Sequence, residues 1–136
     1  MVHWVNTMNK FYFLKIMVFE TLGLYFRQGI SFQRATPADH ERVWRYVAAE
    51  FSRPGGTGAE VGRRWAYLAT MGLAFDPPSL HLAEDAEGPI GFVVTQVAAP
   101  GRLGPMGVSR TARNRGVGKV LALRALSRGS ETSNAH

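Results

Sequence analysis

The stretch ARNRGVGKVLALRAL, residues 112–126, sets Gly116 and Gly118 one residue apart among Arg113, Arg115 and Lys119, then runs into apolar, helix-favouring sequence. A helix N-terminus leaves its first backbone N–H groups without intrahelical partners, and the macrodipole adds partial positive charge there. Glycines without a Cβ let a large anion approach that backbone closely. The stretch therefore reads as a phosphate cradle. The bland alternative is that the glycines end a loop and the arginines are solvated. Other glycine loops fit less well: there is no G-x-x-x-x-G-K-[ST], and R-N-R-G-V-G lacks the three-glycine spacing of the dinucleotide fingerprint.

The basic character extends around this point. The chain carries a net charge of +6, and no acidic residue lies between Glu87 and Glu131, whereas Arg102, Arg110, Arg113, Arg115, Lys119, Arg124 and Arg128 do. That half attracts anions. Nucleic acid is not the expected partner, because neither zinc-finger spacing nor an aromatic ribonucleoprotein motif accompanies the charge. With 136 residues, 46% of them hydrophobic, one domain with a real core is expected. The absence of cysteine excludes disulfides, thiolate metal sites and a cysteine nucleophile, and allows a reducing, cytoplasmic location. Residues 11–26, FYFLKIMVFETLGLYF, are the most apolar, but Lys15 and Glu20 interrupt them and they fall short of a membrane span. No small-residue cleavage pattern follows, so a signal peptide fits poorly and no membrane association is expected.

Residues 1–29 form an atypical N-terminal segment, rich in Met, Phe and Tyr, for which neither helix nor strand is favoured. From Ile30 the pattern sharpens. ISFQRA alternates as a half-buried strand, and Thr36, Pro37 and Asp39 open a helix that runs to about Phe51 and buries Val43, Tyr46, Val47 and Phe51 or their neighbours. SRPGGTG, residues 52–58, breaks it. A second helix is expected from Ala59 to about Leu73, with Val61, Trp65, Leu68 and Ala69 on one face, ended by FDPPS. SLHLAED, residues 79–85, and PIGFVVTQV, residues 89–97, read as a hairpin. A further strand over about Arg102–Val108 leads through SRTARNRG into the last helix, whose core face is expected to hold Val117, Val120, Leu121, Ala125 and Leu126.

This order of strand, two helices, three strands and helix, with the R-N-R-G-V-G loop, resembles the GNAT superfamily of acetyltransferases. The resemblance rests on GPMGV, residues 104–108, at a strand end, on the step from Val108 to Arg113, on RATPAD at a helix opening and on GPIGFVV in a strand. It covers residues 30–128 and implies an α/β (α+β) fold with a mixed, largely antiparallel sheet and flanking helices. It implies that acetyl-CoA is the acyl donor and an amine the acceptor. Backbone groups of Met106, Gly107 and Val108 would bind the pantetheine arm, and N–H groups across Arg113, Asn114, Arg115, Gly116, Val117 and Gly118, beside Lys119, the pyrophosphate. It also implies a further strand and helix, the helix often carrying a tyrosine that protonates the leaving thiolate. Only RGSETSNAH follows Ser127, so the expectation is a partial domain over residues 30–128, lacking the C-terminal part of the fold and followed by a polar tail over 129–136. The first 29 residues would then be the tail of a preceding domain or a mistaken start. An unpaired edge on the motif strand would favour a homodimer or self-association. The alternative function is a non-catalytic or fragmentary module that keeps the cofactor loop.

Amine acetylation needs a deprotonated amine, a polarised carbonyl and a protonated leaving thiolate. The run from Gly88 to Ser130 holds no carboxylate, which leaves Glu50 and Glu60 as candidate bases against the plainer reading of solvated helix ends. No catalytic residue is assigned. Glu84, Asp85 and Glu87 read as a polar turn. His3, His40, His81 and His136 lack ligand spacing, so no metal is expected. Trp44 and Trp65 read as core or groove wall rather than base-stacking platforms, and a serine-hydrolase elbow is absent.

Overall fold

A computed structural model of the chain describes residues 28–52 and 58–133. The expectations for the N-terminal segment fall almost entirely outside those residues, as does most of the SRPGGTG break. Strand β1 is Ser31–Arg34, helix α1 His40–Glu50, helix α2 Gly58–Met71, strand β2 Leu80–Asp85, strand β3 Gly88–Thr95, strand β4 Leu103–Val108 and helix α3 Val117–Ser133. The strands pair antiparallel in the order β1-β2-β3-β4. The expected hairpin forms with a two-residue turn, Ala86 and Glu87, between Asp85 and Gly88. Asp85 Oδ1 accepts the Glu87 N–H at 2.8 Å, and Gly88 takes φ +125°, which disfavours a side chain.

Period-two alternation sends the two faces of the sheet to different partners. Leu80, Leu82, Phe92 and Val94 meet Val43 and Val47 of α1 and Ala66 and Ala69 of α2. Phe32, Ala83, Ile90 and Val93 meet Val117, Val120, Leu121 and Ala125 of α3. The result is three layers, with helices on both faces of an antiparallel sheet. A register shift at Ala83/Glu84 leaves Ile90 as the extra residue of β3 and turns it toward α3.

Two expected helix faces are corrected. In α2, Ala69 is buried as expected, but its buried companions are Gly62, Ala66 and Thr70, while Val61, Trp65 and Leu68 are only half-buried. The cause is close helix approach: a Cβ at Gly62 would come within 2.8 Å of the Ala48 carbonyl oxygen. In α3, Leu126 is 59% exposed and leaves the core to Ala125. That helix also continues to Ser133, through the first part of the expected polar tail.

The start of α1 is fixed by charge. Thr36, Pro37 and Asp39 open a single 3-10 turn, Pro37–Asp39, that precedes α1. The Thr36 N–H donates to Asp39 Oδ2 at 2.8 Å, and Arg42 Nε donates to Asp39 Oδ1 at 2.8 Å. Arg42 also donates to Glu84, which ties α1 to the end of β2. Partial burial pushes the Asp39 carboxyl up, but the Thr36 N–H and the Arg42 guanidinium outweigh it and hold the group below its ordinary value. A carboxyl depressed in the folded chain contributes stability above its unfolded pKa of about 3.9, and that contribution is lost as pH falls through the folded value. Melting temperatures recorded from about pH 5 down to 3 are therefore expected to fall less steeply for Asp39→Asn than for the wild type, and parallel curves would contradict this.

Candidate functional site

The end of β4 and the start of α3 meet at one edge of the sheet. Ser109 donates its N–H to the Ile90 carbonyl at 2.8 Å, in register with Gly91↔Val108, Phe92↔Gly107 and Val93↔Met106. Antiparallel pairs alternate between bonded and non-bonded, so Gly107 directs its amide groups at Phe92. Met106 and Val108 direct theirs to the opposite edge, which no strand covers among the described residues.

Gly107, grouped with them in the sequence reading, acts differently. A Cβ there would lie 2.5 Å from Phe51 Cζ and 3.0 Å from Phe92 Cε1. The glycine is required by packing, because Phe51 lies directly over the strand. Phe51 is the hub of an aromatic group: Tyr46 at 6.0 Å between centroids, Trp65 at 5.3 Å and Phe92 at 5.5 Å. Trp65 packs on Phe51 and Phe92 at the margin of the core, whereas Trp44 is exposed on α1.

After Ser109 the chain makes a 3-10 turn, Arg110–Ala112, with Ala112 buried. Arg113 is extended, and Asn114 and Gly116 then take φ +65° and +75°. These two left-handed residues reverse the chain onto α3, where Val120 donates to the Gly116 carbonyl at 3.2 Å. The first N–H groups of α3 lie on Val117, Gly118 and Lys119, before that bonding begins. Gly118 sits over β4, and a Cβ on it would be 3.4 Å from Val108 Cγ2, an ordinary contact. Val117 is buried in the core, while Arg113, Asn114, Arg115, Gly116 and Lys119 are exposed. The site residues from Met106 to Lys119 therefore lie along one strand edge, turn and helix start, with Gly107 and Val117 buried and the Val108 side chain packed against the α3 side of the core.

Two contacts escaped the sequence reading. The Tyr46 hydroxyl and Ser109 Oγ are hydrogen-bonded at 2.7 Å, and Glu50 Oε1 accepts the Arg110 N–H at 3.0 Å. Burial pushes the Tyr46 phenol up to about 12, against the downward pull of Ser109 and with some help from the Glu50 carboxylate. The phenol is thus neutral at physiological pH and is no base. Glu60 is exposed in the first turn of α2. Among the described residues no group of three or more His, Asp or Glu could hold a metal ion, and no helix is long and apolar enough to cross a membrane.

No protein-family model and no curated protein matches the chain. Solved structures do. A GCN5-related N-acetyltransferase from Ralstonia eutropha JMP134 aligns with a TM-score of 0.52 at 21% identity, over 77% of this chain and 78% of that one. A candidate acetyltransferase from Pyrococcus horikoshii gives a TM-score of 0.52 at 23% identity, over 76% of this chain and 36% of its own. A GCN5-related N-acetyltransferase from Kribbella flavida gives 0.51 at 17% identity, over 76% and 27%. The chain thus spans about a third of the Pyrococcus protein and about a quarter of the Kribbella one. At these identities the likeness is one of fold, and the fold is that of the GCN5-related N-acetyltransferases.

Proposed function

We propose that the chain binds acetyl-CoA along the open edge of β4 and the N-terminus of α3, and serves transfer of the acetyl group to an amine. The observation that carries this reading is continuity. Outward amide groups at Met106 and Val108 run through one short turn into left-handed Asn114 and Gly116 and the N–H groups of Val117, Gly118 and Lys119, which precede the first bond of the α3 ladder. A strand edge suits the amide-bearing pantetheine arm, and a helix start suits the pyrophosphate. Gly116, exposed and without a Cβ, leaves the loop open to a large anion. The residues present therefore fit coenzyme A. Arg113, Arg115 and Lys119 add positive charge around the anion.

Bound acetyl-CoA supplies the activated acyl group; the chain supplies binding and orientation. A second reading, a module that binds the cofactor without catalysis, is favoured by the engagement of Glu50 with Arg110. The two readings separate in paired assays. Titration calorimetry with acetyl-CoA is expected to give saturable binding that free CoA displaces, and no heat at millimolar acetyl-CoA would overturn both. Mass spectrometry of a primary-amine panel incubated with acetyl-CoA then decides between them. Acetylated product above the uncatalysed background supports the enzyme, and binding without product supports the module. The edge that would hold pantetheine is also open to a second copy of the chain. Any dimer seen by light scattering is accordingly expected to dissociate as CoA is added.

A further inference from the structure

The link between β4 and the glycine loop is held from two sides. On the sheet side, Ser109 donates its N–H to Ile90. On the helix side, Tyr46 and Glu50, one turn apart on the same face of α1, reach Ser109 Oγ and the Arg110 N–H. These are long-range contacts, spanning 63 and 60 residues of sequence. They fall at Ser109 and at Arg110, the first residue of the 3-10 turn that leads to Asn114 and Gly116. Ser109 is 5% exposed, so a loss of its hydroxyl partner is not readily made good by solvent.

We infer that Tyr46 and Glu50 are positioning residues that clamp the β4–α3 connection, presenting the glycine loop preformed to the cofactor pyrophosphate. The inference rests on the coenzyme A reading for its ligand, though not for the clamp itself. An ordered loop binds more tightly because less conformational freedom is lost on association. The clamp also joins the loop to α1, whose C-cap residue Phe51 packs over β4 at Gly107.

Electrostatics alone gives the opposite expectation for Glu50. Removing a carboxylate next to an anion site raises affinity if charge is what counts, whereas removing a clamp lowers it. The test uses the full chain with Tyr46→Phe, Ser109→Ala, Tyr46→Phe/Ser109→Ala, Glu50→Ala and Glu50→Gln. It reads amide hydrogen exchange across residues 109–116 without ligand, CoA affinity by calorimetry, and melting temperature as a check on folding. The Tyr46→Phe and Glu50→Ala variants are expected to exchange faster across 109–116 and to bind CoA about fivefold more weakly. Glu50→Gln, which keeps an acceptor oxygen, is expected to recover most of the affinity. Ser109→Ala should add little to Tyr46→Phe, because both remove one bond. Unchanged exchange in Tyr46→Phe and Glu50→Ala overturns the clamp. So does faster exchange with equal or tighter CoA binding. If the wild type itself fails to bind CoA, the cofactor reading falls, and hydrogen exchange still decides whether the clamp orders the connection.

Discussion

Phe92→Ala is expected to lower the melting temperature by about 12 °C or more. Phe92 is fully buried at the centre of β3, with Phe51 at 5.5 Å and Trp65 at 6.1 Å between ring centroids. It also faces Gly107 across the β3–β4 pair, where Phe51 rests on β4. Truncating a buried phenylalanine costs about 3–5 kcal/mol, because the transfer free energy of the ring is lost and a cavity remains. In a domain of about 100 residues each kcal/mol moves the midpoint by roughly 4–8 °C. The cavity would open under the aromatic group that packs over β4 at Gly107, so the loss is expected to reach the site as well as the core. Thermal unfolding followed by circular dichroism measures it. Leu126→Ala, at a side chain 59% exposed, serves as the comparison and is expected to stay within about 0.5 kcal/mol of wild type. Equal shifts for the two variants would contradict the burial of Phe92 in the core.

The same contrast between Phe92 and Leu126 marks where sequence was informative. Local signals were clear: alternation in ISFQRA, the Thr36, Pro37 and Asp39 opening, and the turn between Asp85 and Gly88 each depend on residues within a few positions of one another. Hydropathy periodicity was less reliable on helices. It places Ala69 correctly on the buried face of α2, but favours the large residues Val61, Trp65 and Leu68 where that face in fact presents Gly62, Ala66 and Thr70. Small residues permit helices to approach closely, and an apolar count gives them little weight. Leu126 misled in the reverse sense, since a leucine late in α3 has no layer above it to be buried against among the described residues.

The site divides along the same line. The glycine loop was visible because its residues are contiguous, and Gly116 takes the positive φ that a loop glycine invites. The reason for Gly107 was not visible, because it is the ring of Phe51, far away in sequence. Tyr46 was assigned to the core and Glu50 to the candidate bases, yet both meet the Ser109–Arg110 step. Their spacing of one helical turn was the available signal. Nothing in the local pattern named their partners, which depend on how α1 lies across β4.

Gly116→Val is expected to weaken CoA binding by about a hundredfold or more, while the chain remains folded. Gly116 sits at φ +75°, where a β-branched residue is strongly disfavoured, and its carbonyl accepts the Val120 N–H that begins the α3 ladder. Valine would force the loop out of its left-handed turn and move the N–H groups of Val117, Gly118 and Lys119 off the anion. Losing two hydrogen bonds to a charged group costs about 3–6 kcal/mol, which sets the hundredfold figure. Strain alone should cost about 1–2 kcal/mol, small enough for Phe92 and Leu121 to hold the core together. Gly116→Asn separates the two roles of the glycine, because asparagine tolerates the left-handed conformation yet carries a side chain. Recovery of affinity in Gly116→Asn would assign the effect to backbone conformation, and continued loss would assign it to close approach of the anion. Arg63→Ala, at an exposed position of α2, controls for nonspecific charge and is expected to leave affinity within about twofold. Calorimetric titration with CoA reads all three variants against wild type. Wild-type affinity in Gly116→Val would remove the loop from the binding site, and an equal loss in Arg63→Ala would replace the cradle with general basicity.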